Sequence, residues 1–448
     1  MSRTIIHNAL IINEGERFIG YVIIEDGLIA EISQGNVDEA LLSSADFTED
    51  ADGAYLLPGA IDEHVHFREP GLTNKADTAT ESAAAVAGGV TSFIDMPNTK
   101  PLTTSIEALE TKHQRASEVS MANYSYFIGA TNDNLNELLA CDYSIVPGVK
   151  LFLGSSTGNM LVDNEIMLNR LFGEVKSLIA VHAESEPIIQ SNRQRLVNEL
   201  GENLPIKLHS IIRDRKACYE STATAIALAN KHNARLHVMH ISTLDELSLF
   251  KAGDIASKRI TAETCPHYLW FDSRDYDRMG GRIKCNPAIK SSRDREALLS
   301  AVADSIIDVI ATDHAPHLLE EKQGTALTST SGMPMVQYSL PLMLELADRG
   351  HFSIEQVVDK MSHAPATLLG VDRRGYIRIG YHADLVIVKP HSPYSVNDHD
   401  VVSRCQWTPL NGETLHNQVI STYINGIRAY HHGHFNSTVR GIALKFNH

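Results

Sequence analysis

The pattern of apolar and polar positions divides the chain into two β-rich ends and a long middle in which strands and helices alternate. Near the start, the apolar runs 21–25 and 28–32 flank Asp26-Gly27, a pair that is typical of a tight β-hairpin turn. Further strand-like runs lie at 380–388 and 419–426. We expect the two ends of the chain to build one small β domain together.

The middle of the chain shows short apolar runs that alternate with helical stretches, the pattern of a parallel sheet covered by helices. Eight strands are predicted: one ending at His66, 90–96, 124–129, one ending near Lys150, one ending at His182, 235–240, 260–263, and one ending at Asp313. Helices are predicted at 76–86, where Gly88-Gly89 ends the helix, around 219–230 and around 338–347. The sequence thus predicts an α/β fold, a (β/α)8 TIM-like barrel over 56–370 with a small β-sandwich domain made of 1–55 and 371–448.

Several of these strands end in side chains that can bind a metal ion. His64 and His66 are two residues apart, so in a strand they point to the same side. Such a pair is often only a polar strand exit. However, other strands end at Lys150, His182, His240 and Asp313. Because the carboxyl ends of barrel strands meet at one mouth, we expect these side chains to converge there.

The ligand types favour a pair of divalent cations. His64, His66 and Asp313 suit one ion, and His182 and His240 suit a second; zinc is commonly held by such ligands. Protonated Lys150 cannot bind a metal. A buried neutral amine can react with carbon dioxide to form a carbamate, whose two oxygens could bridge the ions. The alternative is that Lys150 pairs with an acidic neighbour. With the bridge, the site predicts metal-assisted amide hydrolysis in which Asp313 carries a proton to the departing nitrogen.

Composition limits the classes of partner. The 448 residues are 43% hydrophobic and carry a net charge of −16 without a Lys or Arg cluster, which argues against nucleic acid. Residues 1–7 lack the apolar core of a signal peptide, and no apolar stretch is long enough to span a bilayer. We therefore expect a cytoplasmic protein with reduced cysteines and a small-molecule substrate, and a homo-oligomer remains open.

Eight segments carry a resemblance to a known family. They are 62–71 (Asp-Glu-His-Val-His-Phe-Arg-Glu-Pro-Gly), 96–99 (Met-Pro-Asn-Thr), 149–152, 181–184, 240–243, 264–268, 286–287 and 311–317 (Ala-Thr-Asp-His-Ala-Pro-His). In these segments the chain resembles the dihydroorotases of the amidohydrolase superfamily. The resemblance implies a binuclear zinc site that reversibly hydrolyses (S)-dihydroorotate to N-carbamoyl-L-aspartate in de novo pyrimidine biosynthesis.

The resemblance also implies roles for individual residues. The implied metal ligands are His64, His66, Lys150, His182, His240 and Asp313, with Asp313 also the proton carrier. The implied contacts to the substrate carboxylate are Arg68, Asn98 and His317. Asn286 and the segment near Ser331-Gly332 would meet the ring, and His66 would face both metal and substrate.

Other interpretations remain. Arg68 could pair with Glu69, Asn98 could be a turn residue, and His317 could begin a helix. Allantoinase and hydantoinase or dihydropyrimidinase share the metal positions, but allantoin and simple hydantoins carry no ring carboxylate for Arg68 and Asn98. A non-catalytic scaffold subunit is disfavoured because every ligand position is filled.

Overall fold

The computed structural model, which describes residues 2–154 and 160–447, begins with a β-rich segment. Its strands are β1 (Arg3–Asn13), β2 (Glu16–Glu25), β3 (Leu28–Gln34), β4 (Phe47–Asp50) and β5 (Tyr55–Pro58). The predicted hairpin is confirmed, because β2 and β3 pair in antiparallel fashion around Asp26-Gly27. Asp26 and Gly27 both have positive φ angles, 48° and 85°, as this turn requires.

The middle of the chain forms a ring of parallel strands. They are β6 (Ala60–Val65), β7 (Val90–Asp95), β8 (Asn123–Tyr126), β9 (Ile128–Gly129), β10 (Gly148–Phe152), β11 (Leu178–His182), β12 (Leu236–Val238), β13 (Ile260–Thr264) and β14 (Val309–Ile310). The strands β6 to β8 form one parallel run and β9 to β14 another. The two halves of the third barrel strand, β8 and β9, join these runs, and a parallel bridge between Val65 and His314 joins the two ends. Eight strands of the described chain therefore close the predicted barrel.

The end of the chain returns to the first sheet. The strands at this end are β15 (Leu385–Lys389), β16 (Tyr394–Ser395), β17 (Thr414–Leu415), β18 (Gln418–Ile424), β19 (Ile427–His431) and β20 (His434–Phe435). Of these, β16 and β17 pair only with each other, in a separate two-stranded sheet. β15 pairs with β5, which places strands from both chain ends in one nine-stranded sheet. The predicted fold class is confirmed. The strand Tyr55–Pro58 belongs to the terminal sheet, and the division at 55/56 and 370/371 stays a prediction.

Helices alternate with the barrel strands, and one short helix, Glu39–Leu42, lies between β3 and β4 of the terminal sheet. The α-helices are α1 (Glu39–Leu42), α2 (Thr78–Ala87), α3 (Ile106–Val119), α4 (Leu135–Ala140), α5 (Glu165–Glu174), α6 (Glu186–Leu200), α7 (His209–Ile212), α8 (Arg215–His232), α9 (Leu244–Leu247), α10 (Pro266–Trp270), α11 (Tyr276–Met279), α12 (Ser292–Ala303), α13 (Ser339–Asp348), α14 (Ile354–Val358) and α15 (Ala364–Leu369). Every residue of β6, β7, β10 and β11 is buried, as expected for parallel strands covered on both faces. Within the described residues, none of these helices has both the length and the apolar character that a membrane crossing needs.

Some predicted boundaries shift by a few residues for local reasons. The first barrel helix begins at Thr78 rather than 76, because Asp77 caps it and accepts a hydrogen bond from the Thr80 backbone N–H. The sixth barrel strand ends at Val238 instead of 240, because the backbone of His240 has a φ angle of 45° and leaves the strand.

Candidate active site

The six predicted metal ligands lie together in one pocket at the carboxyl ends of the barrel strands. The pocket is lined by His64, His66, Arg68, Asn98, Lys150, Phe152, His182, His240, Asn286, Asp313, Ala315, Ser331 and Gly332. These side chains come from positions up to 268 residues apart, 332 less 64, and the barrel brings them together. Of the predicted site residues, only His317 lies outside this lining.

His64, His66 and Asp313 form one half of the ligand cluster. Nε2 of His66 lies 2.9 Å from Oδ1 of Asp313, and Nε2 of His64 lies 3.4 Å from the same oxygen. All three side chains are at least nine-tenths buried. Two imidazole nitrogens and a carboxylate oxygen thus converge on one point, an arrangement suited to a divalent cation.

His182 and His240 form the other half. Nδ1 of His182 lies 2.9 Å from Nε2 of His240, and the His240 ring centroid lies 5.3 Å from that of His64. The two halves are therefore neighbours, as a binuclear centre requires. The pKa of His240 is held well below its ordinary value because burial and the neighbouring His182 and His64 rings disfavour a further positive charge.

Lys150 is wholly buried beside both halves. Its Nζ donates to the sulfur of Met239 at 2.6 Å and lies 5.0 Å from the Phe152 ring centroid. Lys150 forms no ion pair with any described residue. The structure therefore does not support the alternative in which Lys150 pairs with an acidic neighbour. Burial lowers the pKa of Lys150 to about 8, which makes the neutral, reactive amine accessible near neutral pH.

The backbone at the pocket adopts unusual conformations. Arg68, His240 and Asp313 have φ angles of 68°, 45° and 48°. Non-glycine residues rarely adopt the left-handed region, and where they do the strain commonly coincides with functional sites.

A buried network beneath the ligands was not predicted from the sequence. The Glu263 carboxylate lies 3.0 Å from Nδ1 of His64 and accepts a hydrogen bond of 2.9 Å from the His240 backbone N–H. Next to it, Nε2 of His237 lies 2.9 Å from Glu63. Burial favours the neutral ring, but the carboxylates of Glu63 and Glu263 raise the pKa of His237 to about 10. The sequence feature that could have revealed this network is Glu263, a carboxylate at the end of the apolar seventh strand.

Glu263 therefore connects two candidate ligands from different strands. A carboxylate on one ring nitrogen of a histidine leaves the other nitrogen free for a metal and fixes the ring orientation. Accepting Nδ1–H from His64 leaves Nε2 of His64 facing Asp313.

The predicted substrate contacts lie around the same pocket. Arg68, Asn98 and Asn286 line it, and so do Ser331 and Gly332. His317 lies behind Arg68, with Nε2 3.1 Å from Nη2 of Arg68 and 3.0 Å from the Ser331 carbonyl oxygen.

The simpler interpretations of Arg68 and Asn98 do not match their contacts. Glu69 pairs with Arg115, at 2.8 Å, and not with Arg68. The Asn98 side chain is not merely a turn contact, since its Oδ1 lies 2.7 Å from Nδ1 of His66. Asn98 thus contacts the ligand cluster directly, whereas Arg68 contacts Pro316 and His317 at its side.

Comparison with known proteins identifies the family to which the chain is similar. The chain matches the Amidohydrolase family over residues 55–428. A dihydroorotase from Methanosarcina acetivorans is 33% identical over 404 residues, which cover 87% of this chain and 84% of that protein. An allantoinase from Streptomyces avermitilis is 34% identical over 393 residues, covering 86% and 87%.

A solved structure shows the same architecture. The L-hydantoinase (dihydropyrimidinase) from Arthrobacter aurescens superposes with a TM-score of 0.90 at 26% identity, covering 97% of this chain and 98% of that one. The resemblance to dihydroorotases is confirmed, although relatives with other ring substrates are equally similar. The chain therefore belongs to the Amidohydrolase family and is a cyclic amidohydrolase.

Proposed function

We propose that this cyclic amidohydrolase is a dihydroorotase, which reversibly hydrolyses (S)-dihydroorotate to N-carbamoyl-L-aspartate in pyrimidine biosynthesis. The observation that carries the proposal is a buried guanidinium in the pocket that has no counterion in the described part of the chain. Arg68 is only 4% exposed, and among the described residues it has no ion-pair partner.

A buried charge without a partner is energetically unfavourable. Binding of a substrate carboxylate beside Arg68 would therefore be favoured. The pKa of Arg68 falls to about 10 because burial disfavours its charged form, yet the side chain stays protonated at neutral pH. Its Nε donates to the Pro316 carbonyl oxygen at 3.0 Å, which orients the planar fork. A carboxylate on the substrate ring fits this fork, whereas allantoin and simple hydantoins carry none.

The hydrogen-bond neighbours of the two His317 ring nitrogens support the role of Arg68 as a carboxylate-binding residue. Nζ of Lys75 lies 3.1 Å from Nδ1, and the Ser331 carbonyl oxygen lies 3.0 Å from Nε2. If Nδ1 accepts from Lys75, then Nε2 carries the proton and donates to Ser331. Nε2 is then no acceptor for Arg68, whose terminal nitrogens stay available for a carboxylate.

Two amides offer further donors. Asn98 uses its Oδ1 on His66, and Asn286 uses its Oδ1 on Nε2 of His209, 3.0 Å away. Neither amide NH2 group has a hydrogen-bond partner among the described residues. Both are therefore free to donate to carboxylate or carbonyl oxygens of a dihydropyrimidine ring.

The residues present fit two divalent cations, for which zinc is the expected metal. His64, His66 and Asp313 would hold one, His182 and His240 the other, and a carbamate formed on Lys150 by carbon dioxide would supply the oxygens between them. When bound, such ions polarise a carbonyl and lower the pKa of water.

Asp313 is the residue placed to move the proton. Burial alone would raise the pKa of Asp313, but the neighbouring His64 and His66 rings, including a hydrogen bond with Nε2 of His66, hold it well below its ordinary value, so Oδ1 is an ionised acceptor. In the proposed reaction Asp313 accepts the proton released by the attacking water and delivers it to the ring nitrogen as the C–N bond breaks. In the reverse direction the same group removes it.

The decisive experiment compares substrates. Purified protein with its metal content measured is assayed on dihydroorotate, allantoin, hydantoin and dihydrouracil. We expect dihydroorotate to have the highest kcat/KM, with about two metal ions per chain if the ligand assignment is right. Preference for allantoin, the substrate named for the Streptomyces avermitilis relative, would replace the proposal with allantoinase.

A further inference from the structure

Lys322 is a buried ammonium that the reaction above does not use. Its side chain is 1% exposed, and it forms no ion pair with any described residue. Instead, Nζ donates to three backbone carbonyl oxygens, those of Gly332 at 2.6 Å, Thr330 at 2.7 Å and Lys284 at 3.0 Å. Burial lowers the pKa of Lys322 to about 7. A lysine ammonium has three N–H donors and a neutral amine only two, so three matched carbonyl acceptors favour the protonated form here.

The three acceptors belong to two segments that form one wall of the pocket. Thr330 and Gly332 flank Ser331, and Lys284 lies two residues before Asn286. The segments are also joined directly, because the Gly332 backbone N–H donates to the Lys284 carbonyl oxygen at 2.8 Å. Lys322 thus holds together the two chain segments that face the substrate ring.

The same ammonium connects this wall to the rest of the molecule. It lies 5.9 Å from the ring centroid of Trp407, a wholly buried residue near the end of the chain. Trp407 Nε1 donates to the His317 carbonyl oxygen at 2.7 Å, and His317 in turn contacts Ser331. The ring face favours a cation, while the three carbonyls fix its direction.

The wall leaves little room to move. Gly332 has a φ angle of 128°, and a Cβ there would lie 2.7 Å from the Ala315 carbonyl oxygen. Loss of the Lys322 ammonium would remove the contacts on one side of the wall only. Ala315 and His317 would still pack against Gly332 on the other side. A change at Lys322 should therefore shift the wall outward and leave the metal-ligand cluster in place.

We propose that Lys322 is a positioning residue that sets the distance between the ring-binding wall, Asn286 with Ser331-Gly332, and the metal pocket. This inference rests on the proposed function in one respect, that the wall meets the substrate ring. Lys322 itself contacts no reacting atom, so its loss should affect substrate binding more than the chemical step.

The test combines kinetics with hydrogen exchange in the metal-loaded protein. In K322M we expect KM for dihydroorotate to rise about tenfold while kcat changes less than about threefold, since binding geometry is lost but the proton carrier is not. Exchange of the Gly332 amide should accelerate at least about tenfold. K322R, which retains charge and donors, should recover part of both effects.

A matched control removes a buried ammonium elsewhere. Lys360 is 5% exposed and pairs with Asp359, near the amino end of the last barrel strand. K360M should leave both KM and the Gly332 exchange rate at wild-type values. A gentler second variant is S329A, which removes the hydroxyl that donates to the Lys322 carbonyl oxygen at 3.0 Å. It should shift KM and exchange in the same direction by a smaller factor.

The outcomes separate the two proposals. If wild-type protein does not act on dihydroorotate, the proposed function fails, yet exchange at Gly332 still reports on Lys322. Unchanged exchange in K322M, or a fall in kcat with unchanged KM, would overturn the positioning role. Should K322M not fold, wild-type exchange and KM in S329A would overturn it equally.

Discussion

Replacement of Arg68 by methionine tests the central feature of the proposed site, a buried guanidinium that binds the carboxylate of the substrate. Methionine approximates the length of the side chain but removes the charge and the donors. We expect R68M to lose most of its activity on dihydroorotate and to retain whatever activity the enzyme has on dihydrouracil, which lacks the carboxylate.

The size of the effect follows from the burial of Arg68. Its guanidinium is 4% exposed, so a carboxylate that binds there leaves water almost completely. Removing one partner of a buried, hydrogen-bonded charge pair costs about 2–5 kcal/mol, and about 3 kcal/mol corresponds to roughly a hundredfold lower kcat/KM. Free-protein stability should hardly fall, because the charge lost has no ionic partner among the described residues.

Arg374 provides the matched control. It is 3% exposed, but it pairs with Asp384 and donates to Asn425 at 2.9 Å, and none of these three residues lines the pocket. R374M should lower the free energy of unfolding by about 3–5 kcal/mol, because it leaves a buried carboxylate unpaired.

The assay is kcat/KM on both substrates, with urea denaturation of each variant. A loss of equal size on dihydroorotate and dihydrouracil would refute the carboxylate role. A large loss of stability in R68M, comparable with that in R374M, would show that Arg68 has a structural partner after all.

Three further predictions concern Asp313, Lys150 and the supporting carboxylate of Glu263. D313N should lower turnover in both directions by about 10³-fold with metal content retained, since an amide cannot carry the proton; measurable near-normal rates would contradict this. In metal-free, carbon dioxide-free protein, the pKa of Lys150 is lowered to about 8 from an ordinary 10.5, so the unfolded chain binds more protons between these values and stability should rise with pH across that window. K150M should lack this rise in pH-dependent urea denaturation, and mass analysis of active wild-type enzyme should detect the carbamate. E263Q should weaken metal binding about 10–100-fold in a chelator competition, because Glu263 orients His64; wild-type affinity would remove it from that role.

Much of the site could be predicted because its residues lie at the ends of local apolar runs. The position of His182 after 178–181 identifies a buried strand and its carboxyl end without any knowledge of neighbours. Barrel geometry then implies that such ends converge, and the structure does bring the six predicted ligands into one pocket. The boundary at His240 was predicted less well, because its backbone is left-handed and its N–H donates to the side chain of the distant Glu263.

The sequence by itself determined the alternation of strands and helices, the β-rich ends and the set of candidate ligand side chains, because periodicity and residue chemistry are local properties. Only the tertiary structure decided which charges are left without a partner. Among the residues that the structure describes, Arg68 and Lys150 have no ion-pair partner. Lys322 donates to three carbonyl oxygens, and Glu263 contacts His64. All of these features depend on contacts between segments distant in the chain. Burial makes these contacts decisive, since an unpaired charge is tolerated in water but must find a partner once water is excluded.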